Sequence, residues 1–421
     1  MLLTAALARA QPVLELTLPE ALEAVDQASL SVLLSREALA QAVAQAQQSR
    51  GALLPNVTLD ATQRRSRSAS IGSTLARTGV SNRFDLAVNG QLNLLDPQNI
   101  ATYQAARVGV DVAQLDVAAT RETVLATVAS AYFQHLRNLA RVEVTLANIA
   151  RAERLLELAE RQASAGVATQ IDVTRAQAQL ATAQQDRLEQ ETEVAESAFR
   201  LKRLLALPLD QTLRLAPVSL ERQEPAEFTA MIEETAFETR ADYLRARRQL
   251  EQNELEVRAA KFNRLPALAL QGNYGEASET PFNGRESTVW SAAAALQVPV
   301  FDGLRTGALT RLALSRRRAQ ELRVRDLELA IGAEVRLAVQ TLRSRFAQVD
   351  VAERSLRLAE DELRLAQTRF EQGVADNREI IEAQNRLVVA ADNRLEAIYQ
   401  YNLTRVELER ARGNVRAVLA P

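Results

Sequence analysis

Two long stretches of this chain repeat one another at a fixed separation. Leu158-Ala159, Gly166-Val167-Ala168, Asp172, Ala176-Gln177 and Leu180 recur as Leu365-Ala366, Gly373-Val374-Ala375, Glu379, Ala383-Gln384 and Leu387, each 207 residues further on. Upstream, Leu54-Pro55-x-Val57-x-Leu59 is matched by Leu265-Pro266-x-Leu268-x-Leu270, and Gln91-Leu92-Asn93-Leu94-Leu95-Asp96 by Gln297-Val298-Pro299-Val300-Phe301-Asp302. Self-similarity on this scale fixes architecture before any single element does. The chain therefore reads as two copies of one unit, 11–206 and 226–421, joined by a linker at 207–225 in which Pro208, Pro217 and Pro225 interrupt the helical pattern. Residues 1–10, apolar and ending in Ala8-Arg9-Ala10, fit the small-x-small rule of signal-peptide cleavage and read as a signal remnant, so export is expected.

Within each copy the order is helix, strand, loop, strand, very long helix, tight turn, long helix. The leading helices run from Pro19 to about Arg50 and from Ala230 to about Asn263, and the strands cover about 55–66, 83–95, 265–277 and 289–301. After Pro97 no proline and only one glycine, Gly109, occur before Ala163, so one helix of roughly 65 residues would extend about 100 Å. Its counterpart spans about Leu304 to Phe370, and the returning helices cover Gln170–Leu207 and Asn377–Arg412. Only 4% of residues are aromatic and Ala, Leu, Arg, Glu and Gln dominate, which favours long helices. Gly166 and Gly373 supply the left-handed caps at which the chain reverses.

The long helices carry two apolar seams at heptad spacing. Val349, Leu356, Leu363 and Phe370 form one; Val351, Leu358 and Leu365 form another, two residues out of phase and so almost on the opposite side. A helix with opposed seams packs against a neighbour on each side, as in the wall of a helical barrel. A filamentous coiled-coil bundle is the competing reading.

The strands alternate with period two. Phe84, Leu86, Val88, Gly90, Leu92 and Leu94 share one face, and Trp290, Ala292, Ala294, Leu296, Val298 and Val300 share another, each opposed by polar or small residues. Strands of this length with one apolar face resemble outer-membrane barrel strands, with Phe84, Tyr274 and Trp290 as membrane-interface aromatics; a soluble sandwich is the alternative. Four strands cannot close a membrane barrel, whose minimum is eight, so a homotrimer with twelve strands and twelve helices is expected. No run of 18 apolar residues offers a transmembrane helix.

Other chemistry is poorly supplied. The net charge of -2 provides no field for nucleic acid, and the absence of Cys together with a single His leaves little for metal, nucleophilic or acid–base work. No cofactor, no metal site and no catalytic residues are expected. His135 reads as a helix-surface or seam residue. The run Arg64-Arg65-Ser66-Arg67-Ser68 reads as a solvated external loop, with binding of lipopolysaccharide phosphates as the lesser alternative.

The order and duplication of these motifs, from Leu16-Thr17-Leu18-Pro19-Glu20-Ala21 to the two glycine turns, resemble the TolC-like outer membrane efflux protein family over nearly the whole chain. The resemblance implies a mainly α protein with a membrane β part, a trimeric duct whose β-barrel crosses the Gram-negative outer membrane and whose α-barrel enters the periplasm. The linker would lie outside this tube. Its partners would be outer membrane lipid, a periplasmic adaptor and an inner-membrane pump or, in type I secretion, an ABC exporter. The adaptor would dock at the tips Gly166, Val167, Ala168, Thr169 and Gly373, Val374, Ala375, Asp376. The resemblance also implies an acidic gate at Glu379 and Glu382, which stand one helical turn apart, with Asp172 as the acid of the first turn. Solvated acids at a helix start are the ordinary alternative. Where the family carries a basic latch Ala375 stands, and Arg378 is the candidate substitute. A coiled-coil scaffold or adaptor of the cell envelope is the competing function.

Overall fold

The computed structural model describes residues 14–68, 79–217, 230–281, 286–372, 374 and 377–419. The signal remnant at 1–10, and Gly373, Ala375 and Asp376 of the second tip, lie outside the described residues. Chain order gives β1 (Leu14–Leu16), α1 (Leu18–Ala28), α2 (Leu30–Gly51), β2 (Asn56–Ser68), β3 (Gly79–Leu95), α3 (Pro97–Ser164) and α4 (Gln170–Leu204). There follow β4 (Leu213–Leu215), α5 (Ala230–Thr239), α6 (Ala241–Phe262), β5 (Ala267–Ser278), β6 (Ser287–Gln297), α7 (Arg305–Glu371), α8 (Asn377–Arg412) and a 3-10 turn at Val415–Leu419. The contacts divide the chain into two compact units. The first comprises Met1–Arg36, Asp116–Leu244 and Leu327–Pro421; the second comprises Glu37–Leu115 and Arg245–Asp326.

The first unit is helical. One core gathers Leu18, Leu22 and Val25 of α1, Val32 of α2, Leu125, Val128 and Tyr132 of α3, Leu201 of α4 and Val406 of α8. A second, nearer the helix turns, joins Leu155 and Ala159 of α3, Val173 and Ala176 of α4, Leu363 and Phe370 of α7, and Ile380, Ala383 and Leu387 of α8. The two seams of α7 differ here. Val349, Leu363 and Phe370 are buried against α8 and its neighbours, whereas Val351, Leu358 and Leu365 are 55%, 69% and 58% exposed.

Each leading helix, expected to run unbroken, is interrupted. Thr17 and Glu20 form a capping box that starts α1, and the extended backbone of Ser29 (φ −66°, ψ 118°) ends it, so that the single apolar face Leu18–Val25 can turn into the core. In the second copy the interruption falls at Arg240. Its guanidinium, only 6% exposed, is held by Asp242 at 2.7 Å and Glu334 at 2.7 Å. Within the segment expected to be a plain linker, β4 pairs in parallel with β1, Leu14 opposite Leu213 and Leu16 opposite Leu215. The Tyr132 hydroxyl lies 3.0 Å from the Leu16 carbonyl and 2.8 Å from that of Ala216, tying α3 to both strand ends. Burial, reinforced by the Glu20 charge, pushes that phenol up to about 12.

The second unit contains one antiparallel sheet of order β2-β3-β5-β6. The β3–β5 pairing joins what sequence suggested as two hairpins into one surface. Its register sets Leu59, Val88, Tyr274 and Trp290 in a row, flanked on the same face by Val57-Gly90-Gly272-Ala292 and Leu92-Leu270-Ala294. The other face carries Thr58-Asn89-Asn273-Ser291 and Gln91-Gln271. Gly275 permits the β3–β5 approach, since a Cβ there would stand 2.2 Å from the Leu86 carbonyl oxygen. Two expectations are corrected. Arg64–Ser68 is no loop: it is the end of β2, paired with Gly79–Arg83 of β3. Val298 and Val300 leave the strand, which stops at Gln297 before Pro299, a residue with no N–H to give the ladder.

Candidate functional site: helix turns and sheet face

The first turn is built by backbone geometry. Gly166 adopts φ +78°, and the Val167 and Gly166 amides donate to the carbonyls of Gln162 (2.9 Å) and Ala163 (3.0 Å), satisfying the end of α3. α4 then starts at Thr169, whose amide and hydroxyl donate to Asp172 Oδ2 at 3.0 and 2.6 Å. The Thr169 hydroxyl, and after it the Thr169 amide, hold the Asp172 carboxyl below its ordinary range. This carboxylate therefore helps to start the helix. Val167 at the turn and Ile171 behind it are 73% and 57% exposed.

At the second turn the Val374 amide donates to Arg369 O at 3.0 Å, repeating the Val167–Gln162 bond, and Val374 is 67% exposed. Glu379 and Glu382 follow on α8, and each carboxylate meets a guanidinium. Arg369 Nε of α7 lies 3.1 Å from Glu379, whereas Arg378 Nε lies 2.9 Å from Glu382 on its own helix. Arg386 and Glu362, 2.6 Å apart, add a second rung between α7 and α8. Arg378 therefore serves Glu382 locally, and the residue reaching Glu379 across the turn is Arg369. Sequence reading passed over Arg369, although an opposite charge at nearly equal distance on the other side of the turn was the available signal. All four partners remain 41–70% exposed, so these pairs are weak and readily exchanged.

Beside them lies a cavity of about 720 Å³, lined by Arg151 and Arg161 of α3, Arg364 and Glu371 of α7, and Gln384 of α8. Gln384 is 2% exposed, and its Oε1 has no hydrogen-bond partner among the described residues. His135 is a buried seam residue, its Nδ1 2.8 Å from Ser197 Oγ of α4, and burial lowers its pKa.

Of the three aromatics singled out, Tyr274 and Trp290 stand directly opposite each other and are 65% and 70% exposed. Phe84 pairs with Ser278, four positions nearer the loop end than the Val88–Tyr274 pair. Among the described residues no helix is long and apolar enough to cross a membrane, which says nothing about strands.

Comparison with known proteins agrees over almost the whole chain. The profile of the family "Outer membrane efflux protein" matches residues 21–207 and 234–414. Outer membrane protein TolC of Vibrio cholerae is 26% identical over 396 residues, 92% of this chain and 87% of that one. Protein CyaE of Bordetella pertussis is 28% identical over 338 residues, 79% of this chain and 70% of that one. Among solved structures, a membrane protein from Pseudomonas aeruginosa superposes with a TM-score of 0.86 at 22% identity, covering 94% of this chain and 93% of that one. The Campylobacter jejuni CmeC outer membrane channel gives 0.85 at 19% identity, with 94% and 85% covered. The chain belongs to the outer membrane efflux protein family, the TolC-like exit channels for efflux or secretion in the Gram-negative outer membrane.

Proposed function

We propose that three copies assemble into a passive duct, twelve strands closing a barrel in the outer membrane and the long helices enclosing a periplasmic channel. The observation that carries this reading is the unequal burial of the α7 seams: Val349, Leu363 and Phe370 are filled within the chain, while Val351, Leu358 and Leu365 lie exposed. A continuous apolar stripe left bare on a long helix calls for a neighbour, and a second copy supplies one with matching periodicity. The sheet supports the same reading. Its outer strands β2 and β6 are open edges of 13 and 11 residues, which closure between copies would remove. Its apolar face, bare at Val57, Leu59, Tyr274 and Trp290, suits lipid. Phe84 and Trp290 lie four register positions apart across two strand spacings, so the aromatic boundary runs obliquely, as strongly tilted barrel strands require.

Glu379 and Glu382 form the periplasmic gate in this reading. Three copies gather six carboxylates at one constriction, and Arg369 holds Glu379 back in the resting state. The exposed tips at Val167 and Val374 meet a periplasmic adaptor, which couples the duct to an inner-membrane pump or type I exporter. Planar-bilayer recordings test the function. The purified protein should form discrete cation-preferring channels that multivalent cations block from the gate side, less effectively at high salt; a protein that adds no conductance would overturn the reading.

A further inference from the structure

The end of β2 carries a charge pattern that a duct does not need. Between Asp60 and Asp85 the sequence holds five arginines, at 64, 65, 67, 77 and 83, and no acidic residue, in a chain whose net charge is -2. The sheet register separates them. Arg64 and Arg83 face each other on the polar side, where Asp85 takes the Arg83 charge at 2.8 Å. Arg65 and Arg67 fall on the opposite side, in line with Val57, Leu59 and Ala61 and beyond the Gln63–Phe84 pair. Their cross-strand neighbours are Asn82 and Val80. Both arginines are exposed, and among the described residues no ion pair joins either to a carboxylate. Three acids lie toward this end: Glu276, opposite Leu86 on the same face as the two arginines, Glu279, whose backbone carbonyl accepts from Gln63 Nε2 at 3.5 Å, and Glu286, just before β6. At about 3.4 Å per residue, the two guanidinium-bearing positions stand roughly 7 and 14 Å along the strand past Phe84.

We propose that Arg65 and Arg67 form a docking surface for the phosphate groups of membrane lipid at the loop end of the sheet. The inference rests on reading this sheet as a membrane barrel. An apolar row, an aromatic and then two exposed guanidiniums match, in order, acyl chain, interface and headgroup phosphate. Guanidinium binds phosphate with paired, charge-assisted hydrogen bonds. Val80 and Phe84 on the same face give the adjoining hydrocarbon a surface to rest on.

The test uses the full-length protein extracted in mild detergent and equilibrated with lipid A or with chemically dephosphorylated lipid A, with the bound lipid counted by native mass spectrometry. The parent should retain lipid A over its dephosphorylated form. Arg65→Gln with Arg67→Gln should weaken retention roughly thirtyfold, about fivefold per guanidinium, whereas Arg64→Gln on the polar side should change it little. Inorganic phosphate at equal concentration should not displace the lipid. Equal retention by parent and double variant, or retention indifferent to phosphorylation, overturns the proposal, as does displacement by free phosphate, which would mark a simple anion site. Conductance of the same preparations in phosphatidylcholine bilayers keeps the two readings apart. If the parent conducts and lipid A selectivity is absent, only the lipid surface is refuted; if it does not conduct, the barrel itself is refuted.

Discussion

Single residues at the helix turns divide into those that build the reversal and those left over for function. Asp172 is a builder. Replacing its carboxylate with Ala removes both bonds to Thr169 and should destabilise the start of α4 by about 1 kcal/mol, read as a shift in thermal unfolding. Because its folded-state pKa is depressed, this contribution is present above the unfolded carboxylate value of about 3.9 and lost as pH falls through the lower folded value. The Asp172→Ala and parent curves should therefore converge in strong acid, and a gap that widened there would refute the capping role. Glu379 and Glu382 pair with arginines that are exposed and exchangeable. In single-channel recordings Glu379→Gln with Glu382→Gln should lower cation preference and relieve multivalent block. Arg369→Gln should act the opposite way by freeing the Glu379 charge. Unchanged selectivity in both would place the filter elsewhere.

At the level of elements, the two faces of the sheet are the most legible feature of the sequence, because period two survives any uncertainty in strand ends. The register pairs β3 with β5 and so extends each face across four strands, a connection that alternation alone could not reveal. The three-residue strands β1 and β4 are too short to carry a period, and the break at Arg240 depends on Asp242 and Glu334, the latter 94 residues away. Such features are set by tertiary partners, as is the pairing of Glu379 with Arg369. Val88→Arg, in the middle of the apolar face, should cost about 2–4 kcal/mol in the membrane and reduce assembled protein in outer-membrane fractions. Asn89→Arg, which can meet Asp60 on the polar face where Asn89 already donates to it at 2.6 Å, should assemble normally. Gly275→Val should fail to assemble, because its Cβ would enter the backbone of β3, whereas Gly90→Ala, whose nearest neighbour is at 3.9 Å, should be tolerated. At the turns, Val167→Glu and Val374→Glu should abolish export while leaving the assembled particle intact, which separates adaptor docking from helix reversal.

For the molecule as a whole, bare surface is the unifying observation. A helix seam, an apolar sheet face and two strand edges remain uncovered in one chain, and in the proposed duct lipid together with further copies of the same chain would cover all of them. Disrupting the seam alone should release the copies. Leu358→Asp with Leu365→Asp leaves the buried side of α7 untouched and should yield folded single chains with a helical spectrum close to that of the parent. The most direct measurement is the native mass of the parent particle extracted from outer membranes in mild detergent, with the seam variant alongside. Three chains per particle, falling to one in the variant, is the expected result; a parent that is a single chain or a dimer, or that is extracted without detergent, would contradict the trimeric duct.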